Sequence, residues 1–223
     1  MSMMTLTLSS ELESSLLSGH PWVYRNHLPR HSLQGGEWVR IQSGRAAAYG
    51  LYDAHSPIAI RVFGLEDPKG GMFLPKNLIP QRVKQALDLR SLLFDERTNA
   101  YRLISGESDF LPGITADRYD RFVVIQIYAE ALEGLLPSVV KALTHESRRL
   151  KGILRRIEGE LHTLWGELPP PQLTVTENGI RIIANLFEGQ KTGLFLDHRD
   201  NRALIERFSK NRRVLNLFGY TGA

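Results

Sequence analysis

The chain has 223 residues, 42% of them hydrophobic and 23% charged, a balance ordinary for a globular protein of one or two domains. Its formal net charge of +4 leans mildly toward anionic partners. It holds no cysteine, which excludes disulfides and thiolate metal sites and fits a reducing cytosol; no metal site is expected. No apolar run is long enough to span a bilayer, so no membrane is expected as a partner, and Met1 to Ser10 lacks the basic segment and apolar core of a secretory signal.

Residues 1–70 read as a small β-barrel. Trp38-Val39-Arg40-Ile41 and Ile58-Ala59-Ile60-Arg61-Val62-Phe63 are short apolar or alternating runs, and Gly35-Gly36, Ser43-Gly44, Gly50 and Ser56-Pro57 punctuate them as turns. Ser10 to Leu17 has room for a helical turn or two. The polar stretch Glu66-Asp67-Pro68-Lys69-Gly70-Gly71 predicts a first domain boundary.

Residues 76–168 then read as an α+β unit. Ile79, Val83, Ala86-Leu87 and Leu93 fall near helical spacing over 76–94, and Tyr101 to Ile104 and Phe122 to Tyr128 read as strands. Leu132, Leu135-Leu136, Val139-Val140 and Leu143 mark one helical face, and Gly152 to Ile157 and Leu161 to Trp165 two more strands. Pro169-Pro170-Pro171 predicts a second boundary. Over 172–223, Leu173 to Glu177 and Ile180 to Leu186 flank Asn178-Gly179, a strong hairpin signal. A loop, a helix from about His198 to Phe208 and a strand over Val214 to Leu217 complete the pattern. The fold class is α+β or α/β multidomain. The surplus of positive charge is C-terminal: residues 169–223 carry eight Lys/Arg against five Asp/Glu, residues 1–75 six of each.

Two constellations carry chemistry. Glu188-Gly189-Gln190-Lys191-Thr192-Gly193-Leu194-Phe195-Leu196-Asp197-His198-Arg199-Asp200-Asn201-Arg202 is dense in polar side chains. Lys191-Thr192 is not a phosphate loop, because Gln190 and Asn185 stand where that loop needs glycine. The plain alternative is a turn and a helix capped by Asp197, with Asp200 favouring its dipole. The second constellation is Asn216-Leu217-Phe218-Gly219-Tyr220-Thr221-Gly222, an apolar run opening into a glycine-bearing turn. Ligands of open α/β sheets sit over such a turn, where glycine admits close backbone approach. The chain stops there, which predicts an N-terminal piece of a longer protein.

These blocks closely resemble the S-adenosylmethionine-dependent methyltransferases of the ribosomal-RNA large-subunit cytosine-5 type. Gly19-His20-Pro21-Trp22-Val23-Tyr24 and the stretch around Gly50-Leu51-Tyr52-Asp53, His55-Ser56 and Ile60-Arg61-Val62 resemble that family's N-terminal PUA domain. Ser105-Gly106-Glu107-Ser108-Asp109-Phe110-Leu111-Pro112-Gly113 and the following Ile114 to Tyr119 resemble its middle domain, and residues 172–223 the start of its Rossmann-like methyltransferase domain. The chain departs from the family at His198, where glutamine is usual.

The resemblance implies S-adenosylmethionine as cofactor. It implies cofactor contacts by Gln190, Lys191, Thr192, Asp197 and Arg199, then by Asn216, Phe218, Gly219, Tyr220, Thr221 and Gly222. It implies ribosomal RNA as partner, met by Arg25 and His27 beside Trp22 and Tyr24, with Trp22 itself expected in the core. Arg148, Arg149, Lys151, Arg155 and Arg156 form a second basic cluster, with a solvated helix end as the alternative. A cytoplasmic location and a homodimer are consistent with the family. Methylating C5 of cytosine needs a thiolate. With no cysteine present, the resemblance puts the catalytic residues beyond Ala223. A non-catalytic RNA-binding adaptor, and a methyltransferase acting on a guanine nitrogen, stay open.

Overall fold

The computed structural model describes residues 3–67, 75–217 and 219. The chain divides into two compact units: Met1–Ala86, Ile104–Thr115 and Ile127–Glu146 form one, and Leu87–Leu103, Ala116–Gln126 and Ser147–Ala223 the other. The 66–71 boundary falls largely outside the described residues, as do Phe218, Tyr220, Thr221 and Gly222.

The first unit is built on β1 (Met4–Thr7), β2 (Trp22–Tyr24), β3 (Trp38–Ser43), β4 (Ala46–Tyr52) and β5 (Ile58–Leu65), in the order β1-β3-β4-β5-β2. β3 alternates as the sequence predicts, with Val39, Ile41 and Ser43 buried. Leu6, Leu8, Val23, Val39, Ile41, Ala48 and Ile60 share one core. Where a closed barrel is expected, the sheet ends at β1 and β2. These edges are only four and three residues long, and β2 slips register between Val23 and Tyr24, so neither offers the other a ladder. Between them, the 3-10 turn Ser10–Leu12 and α1 (Glu13–Leu17) match the expected helical turns.

α2 (Pro75–Leu93) follows the expected helix closely, burying Ile79, Val83 and Ala86. A second sheet has the order β10-β9-β8-β7-β6, with β6 (Ala100–Ser105), β7 (Ile114–Tyr119), β8 (Phe122–Ile127), β9 (Gly152–Ile157) and β10 (Glu160–Gly166). β8 and β9 are parallel and are joined through α3 (Leu136–Glu146), which buries Leu136, Val139, Ala142 and Leu143. The first part of the expected helical face, Glu130–Leu135, is instead a 3-10 helix. β7 is the one strand of this sheet that the sequence pattern misses.

β11 (Leu173–Glu177) and β12 (Ile180–Ala184) form the expected hairpin, with Glu177 opposite Ile180. Its two turn residues, Asn178 and Gly179, take φ of 51° and 87°, which a two-residue hairpin turn of this twist requires. Leu173, Val175, Ala184, Leu186 and Leu194 share a core with Tyr119, Phe122, Val124 and Leu154. α4 (Arg199–Ser209) matches the expected helix and buries no residue. The strand expected over Val214 to Leu217 is absent: none of the described residues pairs with it, and Val214, Leu215 and Leu217 are 61%, 81% and 68% exposed. A strand needs a neighbour's N–H and C=O groups, and an apolar pattern alone does not provide them.

Candidate functional site

The loop from Gln190 to Asp197 is fastened from beneath by β7. Strand alternation turns Asp117 and Tyr119 to the same face, and both are buried, at 3% and 0% exposure. Thr192 donates its one hydroxyl proton to Asp117 Oδ2 (2.6 Å), so the Tyr119 hydroxyl is the donor in its 2.8 Å bond to Thr192 Oγ1. The Leu194 amide in turn donates to the Tyr119 oxygen (3.2 Å). Arg102 completes the set, donating through Nε to Asp117 Oδ1 at 2.5 Å. Burial, reinforced by the Asp117 charge, pushes the Tyr119 phenol up and keeps it protonated. Gly193 is needed here, because a Cβ on it would lie 2.4 Å from Leu186 Cδ2 and its φ is 144°.

Lys191, Asp197, Arg199 and Arg202 of the block also have partners inside the protein. Lys191 Nζ meets both Asp197 oxygens (3.1 and 2.9 Å) and lies 4.6 Å from the centre of the Phe195 ring. That hydrogen bond holds the Asp197 carboxyl below its usual range. Arg199 sits 4.6 Å over the Phe94 ring and donates to Asp200. Arg202 forms a two-pronged pair with buried Glu177 (2.7 and 2.6 Å), tying α4 to the hairpin. Gln190 is exposed.

A groove of about 1060 Å³ runs between the hairpin and α4. Ile180, Ile183, Ile205 and Val214 supply its apolar walls, Arg202 and Glu177 its charged ones. Of the candidate cofactor residues that the structure describes, it takes Asn216 alone. Gly219 lies against the Asn216 side chain, so closely that a Cβ would come within 2.5 Å of Nδ2.

The candidate RNA residues fall in both units, Arg25 and His27 in the first and Arg148 to Arg156 in the second. α3 ends at Glu146, so Arg148 and Arg149 stand exposed in the turn beyond it and Lys151, paired with Glu167 at 3.1 Å, precedes β9. Arg148 and Arg149 are thus a solvated helix end, whereas Lys151, Arg155 and Arg156 are not. Arg155 and Arg156 are neighbours on β9 and point to opposite faces. Arg156 spends its guanidinium on the carbonyls of Gly159, Phe187 and Leu186. Trp22 is half-buried rather than core: its indole N–H donates to Glu107 Oε1 (3.1 Å), and its ring meets His20 and Tyr24 edge-on. Arg25 and His27, by contrast, share a pocket with Tyr24, Asn26, His55 and Pro57.

Sequence reasoning misses the residues that shape the loop: Arg102, Asp117, Tyr119 and Glu177. The signal for Asp117 and Tyr119 is their spacing of two, which puts them on one face if the stretch is a strand.

Comparison with known families bears on both ends of the chain. Residues 6–64 match a PUA-like domain, and residues 126–223 match an S-adenosylmethionine-dependent methyltransferase family. The two matches cover separate stretches of the chain. The methyltransferase match begins in β8, and the PUA-like domain lies wholly within the first unit. The protein named ribosomal RNA large subunit methyltransferase I of Pseudoalteromonas translucida is 33% identical over 234 residues, covering 96% of this chain and 57% of the relative. Its namesake in Yersinia pseudotuberculosis serotype O:1b is 36% identical, covering 98% and 58%. The chain thus spans under three fifths of the length of these curated relatives. A solved structure described as a candidate SAM-dependent methyltransferase from Streptococcus mutans shares the fold, with a TM-score of 0.83 at 24% identity over 99% of this chain and 58% of that one. Among the described residues no helix is long and apolar enough to cross a membrane.

Proposed function

We propose that this chain serves the methylation of a base in large-subunit ribosomal RNA, with S-adenosylmethionine as methyl donor and C5 of cytosine as the target. The observation that carries this reading is the methyltransferase match over 126–223, joined to 33–36% identity with relatives named as large-subunit ribosomal RNA methyltransferases; the C5 target rests on the sequence resemblance. The PUA-like match supports RNA as partner. The setting is the cytoplasm, the working form a homodimer, and the domain bounds are 1–70, 76–168 and 172–223.

Bound cofactor supplies an electrophilic methyl group. The assigned contacts are Gln190, Lys191, Thr192, Asp197 and Arg199, and the loop of Asn216, Phe218, Gly219, Tyr220, Thr221 and Gly222. Their partners suggest a division of labour. Thr192, Lys191 and Arg199 commit their polar groups internally and so hold the first loop in shape. Asn216 is exposed, and the bare Cα of Gly219 lies against it, so the second loop offers polar atoms and close backbone approach. RNA contact falls to Arg25, His27, Arg148, Arg149, Lys151 and Arg155, with Arg156 acting through the loop at Leu186–Phe187 that it holds. C5 chemistry needs a thiolate at C6. These 223 residues contain none, so on this reading the thiolate comes from other sequence of the same protein.

The test is methyl transfer from labelled S-adenosylmethionine to protein-free large-subunit RNA by the whole gene product, with the modified nucleoside identified by mass spectrometry. The expected product is 5-methylcytosine. A methylated guanine would move the target to a guanine nitrogen. Binding of RNA without transfer, and without calorimetric cofactor binding, would leave a non-catalytic adaptor. Gly219→Val, which puts a branched side chain where the cofactor would approach the backbone, should abolish cofactor binding while RNA binding persists.

A further inference from the structure

The PUA-like domain contains a pocket of about 700 Å³ lined by Tyr24, Arg25, Asn26, His27, His55 and Pro57. Its floor is rigid. Arg25 donates to the carbonyls of Ser56 (3.2 and 2.6 Å) and Asp53 (2.7 Å) and to the Tyr52 hydroxyl (3.2 Å), while its guanidinium lies 5.9 Å from the centre of the Tyr52 ring. The loop beneath is fixed by Asp53, whose carboxylate accepts the amides of His55 and Ser56, both at 2.9 Å. These partners of Arg25 are carbonyls and a phenol, so its positive charge is held in place without being cancelled. The Asp53 carboxylate is turned to Arg61 (3.5 Å). The rim is open to solvent: Tyr24 is 41% exposed, Asn26 is exposed, and the His55 side chain is 77% exposed, with Glu130 3.8 Å away.

We propose that this pocket receives one unstacked nucleotide of single-stranded RNA. The Tyr24 ring is the stacking face, Asn26 and His27 present hydrogen-bonding atoms to the base edge, and the fixed Arg25 charge attracts the adjoining phosphate. A duplex keeps its bases stacked and cannot use an aromatic face in a concavity, whereas a splayed base can. The concavity of about 700 Å³ is open to solvent on most of its surface, so a splayed base can enter it from a single strand. The inference deepens the RNA reading above and rests on it. It also gives Arg25, so far only an RNA contact, a defined place as the floor of a base site.

The experiment measures binding of the purified 223-residue chain to a fluorescein-labelled 12-nucleotide single-stranded RNA of mixed sequence and to its duplex, at two salt concentrations. Tyr24→Ala should weaken single-strand binding about tenfold, the loss of one base–aromatic stack, and leave duplex binding and the thermal transition unchanged. Tyr24→Phe keeps the ring and should bind as the parent does. Asn26→Ala should change the preference among single-base variants of the probe with little loss in overall affinity. Unchanged single-strand affinity in Tyr24→Ala, with the parent binding RNA, overturns the pocket and leaves the RNA reading standing. Failure of the parent to bind either probe removes the RNA reading and the pocket with it.

Discussion

Thr192→Val keeps the outline of a side chain that is 1% exposed and deletes only its hydroxyl. Two buried groups lose a partner. Asp117 loses a bond to a charged acceptor, worth about 1.5–3 kcal/mol, and the Tyr119 hydroxyl loses its acceptor, at about 1–3 kcal/mol. Two compensations remain: Arg102 still holds Asp117, and the new methyl is buried at a gain of about 0.8 kcal/mol. The net expectation is a loss of about 3 kcal/mol in the unit that contains the loop. For a unit of about a hundred residues that lowers the melting temperature by about 12–15 °C. Thermal unfolding measures the loss, and amide exchange at Leu194, whose N–H rests on Tyr119, places it in the loop. Thr192→Ser, which keeps the hydroxyl, should retain most of the stability. If Val and Ser variants melt within about 2 °C of each other, the hydroxyl chain is not what holds the loop, and the assignment of Thr192 as its anchor is wrong.

Three further outcomes are expected. Glu66 accepts from Arg40 (3.0 and 2.5 Å) and from the Tyr49 hydroxyl (2.5 Å), which holds its carboxyl at about 2 against a usual 4.5. A carboxylate with a lowered folded-state pKa stabilises above its unfolded value, so this lock should be intact above about pH 4.5 and fade as the pH falls toward 2; Glu66→Gln should flatten that part of the acid-unfolding profile, and an unchanged profile refutes it. Arg202→Ala strands the buried Glu177 carboxylate and should cost about 3–5 kcal/mol, exposing α4 to limited proteolysis between 199 and 209, whereas Glu177→Gln with Arg202 in place should cost less. Phe110 occupies φ of 58° at the end of a 3-10 turn and is 65% exposed, so Phe110→Gly should stabilise the first unit by up to about 1 kcal/mol; a clear loss would mean that its ring over Arg82 outweighs the backbone strain.

The amino-acid sequence by itself determined whatever depends on near neighbours along the chain. The spacing of Leu136, Val139 and Leu143 sets a helix whose buried face needs no knowledge of the partner. Asn178-Gly179 sets a hairpin because both residues tolerate positive φ where others do not. The absence of cysteine determined that C5 chemistry has no nucleophile here. Tertiary structure decided what depends on groups that meet from afar. Val214 to Leu217 has a strand's composition and no strand, since pairing is a property of two segments. β7 is a strand although Asp117 and Arg118 interrupt its apolar run, because Arg102 and Thr192, 15 and 75 residues away in sequence, satisfy the buried carboxylate. The same meeting turned Thr192 from a residue in a polar loop into its anchor. Arg25 was legible as a cation, but only the carbonyls of Asp53 and Ser56, brought round by the turn before β5, made it a fixed one. A side chain's type is written in the chain, whereas its freedom is set by whatever the fold places within hydrogen-bonding distance.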